Sequence, residues 1–309
     1  MGLEERIRAA EARLFARHGL RPQESCVDLP AGPRLRVLSV GTGPAVVLLH
    51  GVSLAAAAWT SWLPDLAGYR LRLVELPGHG LSGPADYKPG TVRASCLDLV
   101  DQLLDALSLA DAPVVGHSLG GMIALWHAAA RPGRITSLVA IGEPAVALPG
   151  AAVRMPLSLL TVPVLGEAIL RSPTPRPAFR RLLALGLSPA AAAAAPDDLV
   201  DVLRLAARRP SNARTVAALM HALDRFRRPR DSSVMTGRDL SAIAVPAMFC
   251  LGSDDPFLSP AGARPAIARI PGAVMHEVPG GHGPWFEDPA GCARLVTRHL
   301  TETGYPPAA

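Results

Sequence analysis

Ser118 lies between Gly116 and Gly120 in the run Ala112-Pro113-Val114-Val115-Gly116-His117-Ser118-Leu119-Gly120-Gly121. A serine hydroxyl becomes a useful nucleophile when its Oγ is lifted clear of the backbone and set beside a base, which a sharp strand-to-helix turn achieves. Such a turn forces backbone segments together. Glycines two residues either side of Ser118 remove the Cβ atoms that would clash, and the serine itself can then hold a strained conformation. The pentapeptide alone also occurs by chance in glycine-rich loops. What singles it out is its context: the strand-like Pro113-Val114-Val115 precedes it, and residues 122–130 follow with helix-forming composition.

A nucleophilic serine needs a general base, and the base needs an acid to orient it. Two late segments provide them. The apolar run 247–251 leads into Gly252-Ser253-Asp254-Asp255-Pro256, and the run 273–278 leads into Pro279-Gly280-Gly281-His282-Gly283. Asp255 is therefore assigned as the acid and His282 as the base. Taken singly, Asp255 reads as a turn former before proline and His282 as an idle loop histidine. The order serine, aspartate, histidine, with each residue just past a strand, favours the joint assignment. The third requirement is a pair of N–H donors for the oxyanion of a tetrahedral intermediate. Leu119 is one, at the start of the helix, where N–H groups are orphaned. Val52 is the other, following His50-Gly51 at the end of residues 45–49. Ser53, His117 and Glu143 are placed to line a pocket, while His50, His79 and His117 read first as loop-shaping residues.

These groups need rigid elements to carry them. Residues 24–29 and 34–40 flank Pro30-Ala31-Gly32-Pro33 and read as a hairpin, and further strands are expected at 45–49, 70–76, 113–115, 135–141, 245–251 and 272–278. Helix-prone stretches cover 3–18, 55–66, 91–109 and 122–130. This alternation predicts an α/β fold with a mostly parallel sheet covered by helices on both faces and opened by an antiparallel hairpin. From 147 to 240 the alternation stops. Helical segments near 152–170, 177–186, 197–208 and 212–226, split by Pro and Gly, predict a helical cap inserted after the sixth strand. The expected organisation is an N-terminal helix (1–20), a core (21–146 and 241–309) and the cap (147–240). The amphipathic 3–18 helix would pack either on the body or on a second subunit of a homodimer.

Composition narrows the remaining classes. The 309 residues are 49% hydrophobic, with a formal charge of +5 that is not interleaved with aromatics, so nucleic-acid binding is not expected. No apolar run reaches membrane-spanning length, and the charged N-terminus does not read as a secretory signal, so a cytoplasmic protein is expected. Cys26, Cys96, Cys250 and Cys292 show no metal-ligand or redox spacing, and no metal or cofactor is called for. Residues 151–240 hold 14 Arg against 7 Asp and Glu. An anionic substrate would be drawn by that field, but solvated helix faces explain it more simply.

Together these motifs resemble the α/β-hydrolase superfamily, in particular its lidded, esterase-like members. The resemblance rests on His50-Gly51-Val52 with Trp59 downstream, Glu75-Leu76-Pro77-Gly78-His79-Gly80-Leu81-Ser82, the Ser118 turn, Gly252-Ser253-Asp254-Asp255 and Gly281-His282, spanning about residues 34–300 without most of the cap. It implies an eight-stranded sheet with the second strand antiparallel. It also implies that the Gly-x-x-Asp spacing selects Asp255 over Asp254. Glu75 departs from the family's usual Asp, and Glu143 occupies a region from which some members recruit the acid. A serine at 118 sets the chain apart from relatives with aspartate there, such as haloalkane dehalogenases and epoxide hydrolases. The expected activity is hydrolysis of a carboxylic ester, lactone or thioester of a small, largely apolar substrate through an acyl-enzyme. Alternatives on the same residues are carbon–carbon bond hydrolysis, cofactor-free perhydrolysis, or a ligand-binding receptor that retains the triad.

Overall fold

The computed structural model describes residues 1–308. After helix α1 (Leu3–Arg17), the hairpin strands β1 (Gln23–Asp28) and β2 (Arg34–Val40) lead into β3 (Ala45–Leu49) and β4 (Arg70–Val74). Then follow α2 (Val92–Ala106), β5 (Ala112–His117), α3 (Leu119–Ala130) and β6 (Ile135–Ile141). After a long helical segment the chain returns through β7 (Ala247–Gly252), α10 (Pro260–Ile267), β8 (Val274–Val278) and α11 (Pro289–Glu302). The eight strands form one sheet in the order β1-β2-β4-β3-β5-β6-β7-β8. Only β2 runs against its neighbours, pairing antiparallel with both β1 and β4, as expected.

Alternation along each strand divides the core into two layers. Val47 and Leu49 of β3 face one layer and Val46 and Leu48 the other, because successive side chains leave a strand on opposite sides. The first layer holds α2 and α3. Helix α3 is buried on every side from Leu119 to Ala128, with Trp126 fully enclosed and His127, its one ionisable residue there, bonded to Asp101 at 2.8 Å. The second layer holds α11, the stacked Trp59, Trp62 and Trp285, and the inner face of α1.

The inserted segment contains α4 (Leu165–Arg171), α5 (Arg176–Gly186), α6 (Pro189–Ala194), α7 (Asp197–Ala207), α8 (Pro210–Leu223) and α9 (Gly237–Ser241). The single helix expected over 152–170 is instead a 3-10 turn, Leu157–Thr161, and α4, separated where Pro163 cannot continue the hydrogen-bond ladder and Val164 turns to φ 65°. Residues 55–66 likewise form two 3-10 turns, Ala56–Trp59 and Leu63–Leu66, in place of one helix. Helix α6 was not expected. Its start is marked by Ser188, which accepts from the Ala191 N–H, and by Pro189 in the first turn.

The apolar face of α1 is covered within the chain. Ile7, Leu14 and Phe15 are buried, and α1 packs along α7, with Arg13 and Arg17 on Asp198 at 3.0 and 2.9 Å and Glu4 on Arg209 at 2.8 Å. Glu11 reaches into the core to the buried Arg36, which also meets Glu24 at 2.9 Å and Glu75 at 3.4 Å. Helix α1 therefore bridges the sheet and the inserted segment.

Candidate active site

Strands β3 and β5 are neighbours whose connections depart to opposite sides of the sheet, and the crevice beyond their C-terminal ends is where open parallel sheets bind ligands. The residues singled out from sequence follow these ends: Val52 after β3, Ser118 after β5, Glu143 after β6, Asp255 after β7 and His282 after β8.

Ser118 sits at φ 49°, ψ −111° between β5 and α3. Left-handed backbone in a non-glycine residue is costly and persists when its surroundings over-determine it. Here the flanking backbone leaves no alternative: a Cβ on Gly116 would lie 2.4 Å from the Gly120 carbonyl carbon, and one on Gly120 would lie 2.0 Å from the Leu49 oxygen. Ser118 is 5% exposed and faces a cavity of about 260 Å³ that His282, His117, Val52, Ser53 and Leu119 also line. Among the described residues no hydrogen bond joins Ser118 Oγ to His282. Such contacts commonly tighten only when substrate is bound.

His282 Nδ1–H donates to Asp255 Oδ2 at 2.7 Å. The same oxygen accepts the Glu143 N–H at 2.9 Å, and Oδ1 accepts the Phe257 N–H at 3.0 Å. Burial pushes the Asp255 carboxyl up, but the neighbouring His282 and these N–H donors outweigh it and hold it below the usual carboxylate range. The imidazole is thereby fixed with Nε2 free. Phe257, which sequence reasoning missed, also packs its ring on His282 with 4.5 Å between centroids. The only hint of it was its position two residues after Asp255. The Leu187 carbonyl, at the end of α5, accepts the His282 N–H at 2.8 Å, so the inserted segment helps place the histidine loop.

The other histidines are structural. His50 donates from Nδ1 to the Gly51 carbonyl at 2.8 Å and accepts the Leu76 N–H on Nε2 at 3.1 Å. Burial and the nearby His79 hold it down to about 3. His79 donates to the Pro77 carbonyl at 2.9 Å, and burial holds it at about 4. His117 donates from Nε2 to the His282 carbonyl at 3.0 Å, and burial keeps it neutral.

Glu143 does not line the cavity as expected. It is fully buried, its backbone rather than its side chain meets the acid loop, and neither carboxyl oxygen has a hydrogen-bond partner among the described residues. Burial, and then the adjacent Asp255 charge, push its carboxyl well above the ordinary carboxylate range.

Most of the rest of the cavity wall comes from the inserted segment and could not be assigned from sequence: Leu160, Leu170, Phe179, Leu183, Met220 and Leu223 face inward. Of the 14 arginines in residues 151–240, only Arg204 lines it, and its Nε is taken by Asp201 at 2.6 Å. The arginine excess therefore faces elsewhere.

The α/β hydrolase fold family matches this chain over residues 44–289. The chain belongs to that family. It is 32% identical over 269 residues to a pimeloyl-[acyl-carrier protein] methyl ester esterase from Aromatoleum aromaticum, covering 82% of this chain and 96% of that one. A protein of the same name from Nitrosospira multiformis is 39% identical over 107 residues, a match that spans 34% of this chain and 40% of that relative. Among solved structures, a carboxylesterase from Bacillus subtilis superposes with a TM-score of 0.74 at 18% identity, covering 98% of this chain and 99% of that one.

Proposed function

We propose that this protein is a serine hydrolase that cleaves a carboxylic ester, lactone or thioester with a small, largely apolar acyl or alcohol part. The carrying observation is that Ser118, on a strained strand-to-helix turn, shares one apolar cavity with a His282 whose Nδ1 is held by Asp255. The names of the two curated relatives support ester cleavage as the reaction.

In this reading the ester carbonyl sits over Ser118 with its oxygen toward the N–H groups of Val52 and Leu119. Ser118 Oγ attacks while His282 Nε2 takes its proton. The negative charge on the former carbonyl oxygen is met by the two N–H donors, each worth roughly 10²- to 10³-fold in rate. His282 passes the proton to the departing alcohol or thiol, leaving an acyl-serine. It then activates water to release the acid and restore Ser118. Asp255 keeps the imidazole in the productive tautomer and balances its charge. Residues 147–240 act as the cap over the reacting bond, and 21–146 with 241–309 as the core beneath it. Four free thiols support a reducing, cytoplasmic setting.

An ester is favoured over a charged diketone acid by the cavity wall, in which the one arginine is already paired. Steady-state hydrolysis of p-nitrophenyl butyrate by wild type and Ser118→Ala tests the proposal. The variant is expected to fold normally and to lose kcat by about 10⁴-fold or more. Near-normal turnover in the variant would remove Ser118 from the mechanism.

A further inference from the structure

Of the eight exposed large hydrophobic side chains among the described residues, six lie in the inserted segment: Met155, Val164, Leu165, Leu182, Leu185 and Phe226. Two of them are held outward by strained backbone. Val164 is 83% exposed at φ 65°, and Phe226 is 49% exposed at φ 48°. A β-branched or bulky residue at positive φ is a real outlier, and this conformation is not explained by burial, since both side chains point to water. The two loops are tied together, because the Phe226 N–H donates to Thr161 Oγ1 at 3.1 Å. They form one apolar knuckle.

Uncompensated positive charge flanks Phe226 on its own loop. The run Arg225-Phe226-Arg227-Arg228-Pro229-Arg230 carries four arginines and no acid. Arg225, Arg227 and Arg228 are exposed and have no carboxylate within 4 Å among the described residues; Arg230 turns back to the His221 carbonyl. The acids nearby are Asp224, which is buried, Asp231, which is exposed, and Glu167, which meets Arg171 and Arg214. The cavity opens on the same segment. Pro156, Ser172 and Leu182 both line it and are exposed, which makes them its mouth, and Met155 and Leu185 flank them. The turn Leu157–Thr161 that separates this mouth from the knuckle is about 10 Å long at ~2 Å per residue.

We propose that this outer face docks on an anionic lipid surface, with Phe226, Val164 and Leu165 entering the acyl boundary and Arg225, Arg227 and Arg228 meeting headgroup phosphates. Protruding apolar tips among arginines suit a lipid surface, which needs no matching pits. A second copy seated on the same face would bring two arginine clusters together. The consequence is delivery: an apolar substrate dissolved in the membrane meets the mouth of the cavity without crossing water.

Sedimentation of the full-length protein with large vesicles tests this. Binding is expected to vesicles containing about one-third phosphatidylglycerol, not to phosphatidylcholine alone, and to fall as salt rises from about 0.1 M to about 1 M. Each of Arg227→Gln and Arg228→Gln should weaken it about fivefold. Phe226→Gly should weaken it about tenfold or more while leaving the melting temperature equal or higher, because glycine relieves the positive φ. None of these residues lines the cavity, so hydrolysis of a soluble ester without vesicles should not change in the variants. Absence of binding to anionic vesicles, or binding indifferent to Phe226→Gly and both arginine changes, would overturn the proposal. So would a dimer dissolved by Phe226→Gly in a protein that ignores vesicles, or retention by soluble polyglutamate alone, which would assign the face to an acidic protein.

Discussion

Asp255 is a buried carboxylate met by three donors, whereas Glu143, next to it, has none on its side chain. The two carboxyls are thus shifted in opposite directions: burial first, and then the Asp255 charge, push Glu143 up, while His282 and the N–H donors hold Asp255 down. The placement of Ser118, Asp255 and His282 just past strand ends was legible in the sequence because each lies in a short motif where local residue types dictate the loop. Phe257 and Glu143 take their positions from the packing of loops far apart in sequence, so nothing near them announced what they would touch. His79 gives a pH prediction at this scale. Its folded value of about 4 lies below its ordinary 6.5, so the unfolded chain binds the extra proton first as pH falls. Stability from this residue is complete above the ordinary value and is lost on acidification. From about pH 7 to about pH 5, wild type should lose roughly 2 kcal/mol more unfolding free energy than His79→Gln. Urea titrations at both pH values measure this, and parallel losses in the two proteins would contradict it.

Among the elements, the strands were readable from short apolar runs bounded by turn residues, such as Ala45–Leu49 and Ile135–Ile141, the hairpin from Pro30-Ala31-Gly32-Pro33 between its strands, and the reversal of β2 from the family resemblance. The helices of the inserted segment were harder. Proline and valine at 163–164 broke one expected helix, and the alanine run of α6 carries no amphipathic signal, so only its Ser188-Pro189 start marked it. Sequence could not say what α1 covers, because an amphipathic helix docks equally well on its own chain or on another. Its partner proves to be α7, and its anchor is Glu11 on the buried Arg36. Removing one member of a buried ion cluster leaves the other uncompensated. Glu11→Met is therefore expected to cost about 3 kcal/mol in denaturant unfolding and to speed hydrogen exchange in α7, which loses its support. A cost within experimental error would show that Glu24 and Glu75 alone satisfy Arg36.

At the scale of the molecule, the loops past the sheet's strand ends carry Ser118, Asp255 and His282, and the inserted segment supplies most of the cavity wall. The wall is mostly leucine, valine, methionine and phenylalanine, and the cavity holds about 260 Å³. Specificity should therefore follow the burial of methylene groups. For p-nitrophenyl esters of rising chain length, kcat/KM is expected to increase by roughly fourfold per methylene until the cavity fills, and then to fall. A flat profile from acetate upward would place the acyl chain outside this cavity. The central claim is that Ser118 is an activated nucleophile, and covalent labelling tests it most directly. Treating wild type and Ser118→Ala with a fluorophosphonate and weighing the intact proteins should show a single adduct on wild type and none on the variant. A folded wild type that takes no adduct, or an equal adduct on both proteins, would contradict the account.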